Sequence, residues 1–304
     1  MVTLNEISKT YNKGTTVAVD KVSFSVNEGE LFGLIGPDGA GKTSLFRILT
    51  TLLLPDGGNA TVDGLDIIKD FKKIRQRVGY MPGKFSLYQD LSVEENLNFF
   101  ATVFNTTIEK NYDLIKDIYV QIEPFKDRRA GKLSGGMKQK LALCCALIHR
   151  PTVLFLDEPT TGVDTVSRKE FWEMLKRLKK EGISILVSTP YMDEATLCER
   201  IALIQSGKIL SIDTPGNIIK QYPENMYAIK AKNMSKLLTD LRNYGPVKSC
   251  NAFGEFHHIT IENDNDPASK EKLLQYLNSR STESIELKRT SATIEDRFIQ
   301  LMKN

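Results

Sequence analysis

Apolar and polar positions alternate along the first thirty residues. Val2, Leu4 and Ile7 fit one short strand, and Val22, Phe24 and Val26 fit another. A period of two predicts antiparallel strands with one wet face. The pattern then changes. Leu31-Phe32-Gly33-Leu34-Ile35 is an unbroken apolar run leading into glycine, which predicts a strand buried on both faces. A glycine-rich turn follows, then a helical stretch over residues 42–52.

Residues 92–149 read mainly as helix. Ser92 with Glu95 forms a capping box that opens the apolar run to Val103. A second helix is predicted over 107–121 and a third over 134–149, before Pro151. Strand and helix then alternate: strand 153–156, helix 167–180 closing at Gly182, strand 184–188. This alternation predicts a parallel sheet covered by helices, with residues 83–150 as a helical insertion.

Thr214-Pro215 reads as a helix N-cap followed by proline at the first helical position, and it marks a break. Beyond it come strand 227–231, helix 234–243, strand 257–262, helix 269–278, strand 285–288 and a closing helix 293–302. A βαββαβ order of the split βαβ kind is expected, giving a small α+β domain over 214–304.

Composition adds limits. The 304 residues are 41% hydrophobic and 26% charged, the balance of a soluble globular protein. Length alone predicts about two domains. Forty-one basic and 38 acidic residues leave a formal charge of +3, which gives no support for a nucleic-acid partner. The basic segment 69–77 mixes in acidic and apolar residues and reads as a solvated helix face. The four cysteines (144, 145, 198 and 250) form no CxxC pair and read as reduced core thiols. Residues 1–11 carry no apolar core of a signal peptide. The longest apolar stretch, 141–148, is far short of the roughly 18 residues of a membrane span.

The chemistry lies in three motifs. Gly36-Pro37-Asp38-Gly39-Ala40-Gly41-Lys42-Thr43 fits G-x-x-x-x-G-K-[ST] at every fixed position, between a buried strand and a helix. Its glycines let several N–H groups point into one concavity, and the helix N-terminus adds partial positive charge. Lys42 would reach the β and γ phosphates of a nucleotide, and the Thr43 hydroxyl would bind Mg²⁺. The strand 153–156 runs into Asp157-Glu158. Asp157 would hold Mg²⁺ through its water shell, and Glu158 would act as general base on the attacking water. Leu133-Ser134-Gly135-Gly136-Met137-Lys138-Gln139 offers a second helix start: Ser134 as N-cap, with two glycines baring the first-turn amides. One nucleotide has one γ-phosphate, so two anion sites on one chain suggest two chains facing each other.

With these residues in view, positions 1 to about 213 resemble the nucleotide-binding subunit of an ATP-binding cassette (ABC) transporter. Residues 36–44 resemble its Walker A loop, closing on Ser44; 153–158 its Walker B strand; 133–139 its signature motif. Gly162-Val163-Asp164 resembles the D-loop less closely. The wording LSGGMKQK and YMDEA, and the closing residues 292–299, are similar to the exporter branch that serves drugs, antibiotics or glycans. The resemblance implies an α/β fold: a P-loop NTPase core with an antiparallel β subdomain and an inserted helical subdomain, plus the C-terminal α+β domain. It implies an ATPase that uses ATP and Mg²⁺, with Tyr11 stacking on adenine. It implies a head-to-tail dimer, with the same or a second cassette, in which each ATP lies between one chain's Walker A loop and the other's Ser134, Gly135 and Gly136. Separate transmembrane permease subunits would hold the protein on the cytoplasmic face of the cell membrane.

The sequence departs from the family at three places. Tyr80-Met81-Pro82 is followed by Gly83 where the family has glutamine. Ser188-Thr189 is followed by Pro190 where the family has its switch histidine, and none of the three histidines (149, 257 and 258) is nearby in sequence. Asp38 stands where asparagine is commoner. Slow turnover at this chain's own Walker site is the reading these departures favour. Ordinary hydrolysis with water filling the gaps is another. A non-hydrolytic regulatory cassette is a third. A soluble ABC ATPase acting on nucleic acid or the ribosome is disfavoured by a single cassette and weak net charge.

Overall fold

The computed structural model describes residues 1–84, 86–223, 225–262 and 267–303. The chain divides into two compact units, Met1–Pro215 and Gly216–Asn304. The first runs β1 (Val2–Tyr11), β2 (Thr16–Val26), β3 (Leu31–Ile35), α1 (Lys42–Leu49), β4 (Gly57–Val62), β5 (Leu65–Asp66), α2 (Phe71–Arg77) and β6 (Val78–Met81). It continues with α3 (Val93–Val103), α4 (Tyr112–Tyr119), α5 (Gly135–Leu147), β7 (Val153–Asp157), α6 (Thr165–Lys180), β8 (Ser184–Thr189), β9 (Arg200–Gln205) and β10 (Lys208–Asp213).

Two sheets share the first core. One is antiparallel, in the order β2-β1-β4-β5; the other has six strands, in the order β10-β9-β3-β8-β7-β6. In the second, β9, β3, β8, β7 and β6 pair in parallel and β10 closes the edge antiparallel. The strands β3 and β7 are buried at every residue, as their unbroken apolar runs require. Phe24, Phe32, Leu34, Phe46 and Phe155 join the two sheets and α1 in one apolar cluster. Helices α3 to α5 fall between β6 and β7, as an insertion.

Several elements differ from the sequence pattern. The first two strands have 10 and 11 residues rather than short alternating stretches, with bulges that put Glu6 and Lys21 at positive φ. Helix α1 stops at Leu49, because Thr51 turns to φ +61°. The helix expected over 107–121 is a 3₁₀ turn at Glu109–Asn111 followed by α4, the Asn111 amide being tied to Ile148 O at 2.6 Å and Thr106 Oγ1 at 2.9 Å. Helix α6 begins two residues earlier than read, because Asp164 caps it through the Val166 and Ser167 amides. The Ser92–Glu95 capping box is present in full.

Helix α7 (Pro215–Lys220) starts at the expected break. The second unit runs β11 (Met226–Lys230), α8 (Met234–Arg242), β12 (Val247–Phe253), β13 (Phe256–Ile261), α9 (Pro267–Ser279), β14 (Glu286–Thr290) and α10 (Ile294–Lys303). Its antiparallel sheet has the order β12-β13-β11-β14; the βαββαβ order is present, but its second strand, β12, is not among the strands read from the pattern. Leu237, Leu241, Leu273 and Leu277 pack on Tyr227, Ile229, Ile259 and Ile261 of the sheet. His258 is buried and bonds Asp296 through Nδ1 at 2.9 Å, while His257 bonds Met234 O through Nε2 at 2.9 Å.

His149 supplies a stability prediction. Its ring stacks on Phe104 at 3.7 Å, and its Nε2 bonds Val78 O at 3.1 Å. Burial pulls its pKa down from 6.5 to about 4. The unfolded chain therefore takes up a proton below pH 6.5 that the folded chain refuses until about pH 4. Stability is full above that window and falls by about 3 kcal/mol across it. Urea midpoints measured over this range are expected to drop with pH. In His149→Phe, which keeps the stacking and cannot titrate, the drop should shrink by about that amount, with a loss of about 1 kcal/mol at neutral pH for the abandoned carbonyl.

Candidate functional site

The loop between β3 and α1 is shaped by contacts that only glycine permits. Gly41 has φ +104°, and a Cβ there would stand 2.1 Å from Ala18 O. A Cβ on Gly36 would stand 2.2 Å from Ile204 O. The Gly36 amide donates to Thr189 O at 3.2 Å, the Ala40 amide to Pro37 O at 3.2 Å, and the Gly207 amide to Ala40 O at 3.0 Å. Asp38 and Gly39 form the exposed crest, and Ala40 is buried beneath it.

Inside this loop lies the Lys42 ammonium, 3% exposed. It donates to Gly36 O at 2.7 Å and Pro37 O at 2.9 Å, and pairs with Glu158 Oε1 at 3.0 Å. A buried ammonium is costly unless neutralised and hydrogen-bonded, and here it is both. Glu158 holds φ +51°, a conformation that costs a non-glycine residue energy. Its amide donates to Ser188 O and Ser188 Oγ, both at 3.1 Å. Asp157 is 2% exposed, and its Oδ1 accepts from Ser188 Oγ at 2.7 Å. Burial, and then the Asp157 charge, push the Tyr80 phenol up to about 12.

Thr43 and Ser44 open α1, half-buried. Tyr11, at the end of β1, is 36% exposed and its hydroxyl meets Ser44 Oγ at 3.1 Å. One ring is thus pinned beside the loop with a face left accessible. The hard oxygens of Thr43 and Asp157 suit a divalent cation such as Mg²⁺, and the amide-lined loop with its buried ammonium suits phosphate. The residues present therefore fit Mg-ATP.

Ser134 is the exposed N-cap of α5 and accepts from Met137 N at 3.3 Å. Gly135 and Gly136 lie against the 162–167 segment: a Cβ on them would come within 3.4 Å of Gly162 O and 2.9 Å of Ser167 Oγ.

Sequence reasoning missed four residues here. Ser188 anchors both carboxylate-bearing residues. Thr189 holds Gly36 through its carbonyl, and its hydroxyl donates to Glu194. Glu194 and Arg168 complete that cluster. The available signal was the polar pair Ser188-Thr189 closing a buried strand whose middle, Ile185–Val187, is apolar, with Ser188 in register with Asp157 and Thr189 with Ile35.

Position 83 lies against the end of β7: a Cβ on Gly83 would stand 3.0 Å from Asp157 O and 3.8 Å from Glu158 Cβ. Pro190 directly follows β8 and offers no N–H.

The ABC transporter family model matches residues 19–161. The multidrug ABC transporter ATP-binding protein YbhF of Escherichia coli, itself named as probable in that role, is 46% identical over 212 residues, 69% of this chain and 37% of YbhF. The chain thus spans little more than a third of that relative's length. The doxorubicin resistance ATP-binding protein DrrA of Mycobacterium tuberculosis is 36% identical over 269 residues, 87% of this chain and 80% of DrrA. Among solved structures, the dimeric post-hydrolysis state of the cassette MJ0796 bound to ADP and Pi is 25% identical with TM-score 0.64, covering 70% of this chain and 98% of that one. CbiO1 of Clostridium perfringens, part of a CbiONQ transporter complex, is 26% identical with TM-score 0.64, covering 72% and 90%. With 80% of DrrA covered at 36% identity, the chain belongs to the ATP-binding cassette transporter family.

Proposed function

We propose that this chain is the ATP-binding and ATP-hydrolysing subunit of an exporter whose membrane path is supplied by separate permease subunits. The observation that carries it is the buried Lys42 ammonium, held by its own loop's carbonyls and by Glu158. Entering phosphates offer that cation stronger acceptors than neutral carbonyls. Lys42 then turns to phosphate and releases Glu158, which is free to take a proton from the attacking water. Asp157, steadied by Ser188, and the Thr43 hydroxyl would hold magnesium, whose charge offsets that of the phosphates. Tyr11, pinned through Ser44, presents a face for adenine.

The exposed Ser134–Gly136 helix start would close on the nucleotide of a facing cassette, in a head-to-tail dimer with a second copy or a related chain. Among the described residues no helix is long and apolar enough to cross a membrane. A membrane role therefore needs a partner. Exposed Tyr88 and Phe99 meet edge to face at 4.8 Å, and Phe99 meets Phe100, which with Tyr80, Phe104 and Cys145 lines an apolar cavity of about 240 Å³. Such a patch suits an apolar partner surface. The exporter branch is supported by the roles for which YbhF, DrrA and the Nod factor export ATP-binding protein I of Burkholderia lata, which is 39% identical over 210 residues, are named. The transported substrate is a property of the permease.

Gly83 and Pro190 favour slow turnover at this chain's own site. Both lack a side-chain donor where charge develops, and a missing donor of that kind costs about 10²–10³ in rate. A non-hydrolytic regulatory cassette is the second reading that these two positions support.

Calorimetry with Mg-ATP tests the binding claim. Wild type is expected to bind, and Lys42→Ala to bind about 10–100-fold more weakly for the lost charge-assisted bonds. Equal heats from the two proteins would remove the claim. Ser134→Arg should leave binding by the isolated chain unchanged and abolish turnover. Phosphate release tests the slow-site claim. Wild type alone is expected well below about 1 s⁻¹, the lower end of typical enzymes. Pro190→His should raise the rate about tenfold or more by restoring one donor. Adding Gly83→Gln should help less, because its Cβ presses on Asp157 O at 3.0 Å. Wild-type turnover already at about 1 s⁻¹ contradicts the slow site.

A further inference from the structure

We infer that Glu194 is a positioning residue for phosphoryl transfer, holding the segment after Glu158 and the end of β8 in one arrangement; this rests on the ATPase reading above. Glu194 opens a 3₁₀ turn, Glu194–Leu197, and is 1% exposed. A carboxylate buried to that degree is costly unless donors surround it. Three do. Thr160 Oγ1 donates to Oε1 at 2.8 Å, Thr189 Oγ1 donates to Oε2 at 2.5 Å, and Arg168 Nε lies 3.5 Å from Oε1. The Arg168 guanidinium also lies over the Tyr191 ring at 4.2 Å, and the Tyr191 amide donates to Thr189 Oγ1 at 3.1 Å.

Each partner leads to the site by one short step. Thr160 lies two residues after Glu158 and is itself 1% exposed, so its position sets the backbone on the far side of the base. Thr189 accepts the Gly36 amide through its carbonyl, so its position sets the first glycine of the phosphate loop. Arg168 belongs to α6, whose N-cap is Asp164 of the segment that meets Gly135 and Gly136. Glu194 therefore joins the base, the phosphate loop and the signature-facing helix through one carboxylate. Pro190 gives this loop no N–H, and the Thr189–Glu194 bond fixes the chain on either side of it.

A group held this way acts on geometry. Misplacement of the base by about 1 Å costs about 10²-fold in rate while binding, which rests on Lys42 and the loop amides, persists. A carboxylate that served only to stabilise the fold would move the melting temperature and leave the rate per folded molecule alone.

The test uses the full chain under single-turnover conditions, with phosphate release, Mg-ATP calorimetry and thermal melting on each variant. Glu194→Ala is expected to lose at least about tenfold in the hydrolysis step, a loss clearly larger than any fall in Mg-ATP affinity. Glu194→Gln can accept from one threonine hydroxyl and donate to the other, and should recover most of that loss. Thr160→Ala with Thr189→Ala should add little further loss in the Glu194→Ala background, as linked residues do. Rate per folded molecule unchanged in Glu194→Ala overturns the inference, as does a parallel fall in affinity. A wild type that binds Mg-ATP and releases no phosphate overturns it too, while leaving the binding reading intact. A wild type that binds no Mg-ATP overturns the parent reading.

Discussion

One buried cation organises the site. The Lys42 ammonium is all but removed from solvent and would be costly there without neutralisation. The loop answers by curling Gly36 O and Pro37 O inward, and β7 answers by delivering Glu158. Both answers demand special backbone. The loop needs glycine where Ala18 O and Ile204 O press on it, and Glu158 must sit at positive φ. The antiparallel sheet takes part in this, since β2 supplies Ala18 and fixes how closely the loop can approach it. The long β1–β2 hairpin carries Tyr11 to Ser44 by the same route.

A second constraint is the end of β8. This strand lies between β3 and β7, so its last two residues stand between the phosphate loop and the carboxylates. Ser188 faces β7 and binds Asp157 and the Glu158 amide; Thr189 faces β3 through its carbonyl and Glu194 through its hydroxyl. Two small hydroxyl residues therefore fix the relative position of every charged group near Lys42. Apolar residues of the same size would preserve the strand and lose that registration.

What was legible in the sequence was local. The phosphate loop announces itself because its glycines, its lysine and its helix start are contiguous. Ser92 and Glu95 announce a helix because a capping box closes within four residues. What was not legible depends on sheet order. Glu194 sits in the mixed stretch 191–196, whose local pattern gives no sign of its burial; it is buried because the end of β8 and the segment after β7 bring Thr189 and Thr160 to it. Strand β4 carries Gly57, Gly58 and Asn59, so it shows little apolar alternation, and its pairing with β1 defines it. Strand β12 is an edge strand whose residues are at most half-buried, so its pattern lacks the apolar period. Its place in the sheet comes from β13.

Two of the three departures from the family pattern fall on either side of one strand. Gly83 follows β6 and Pro190 follows β8, and β7, which ends in Asp157, lies between them. At position 83 the main chain approaches the Asp157 carbonyl so closely that a side chain would press on it. At position 190 both the side-chain donor and the N–H are gone. On the proposed reading, the groups that would hold phosphate and the base itself are nevertheless present, and Ser188 bonds the amide of that base. On that reading binding and proton removal would keep their machinery, and what Gly83 and Pro190 thin is the set of donors around the charge that develops during transfer. The proposed slow site would then carry its deficit in the chemical step rather than in nucleotide affinity. The exposed Ser134 helix start, independent of β7, would be intact to serve the nucleotide of a facing cassette in the proposed dimer.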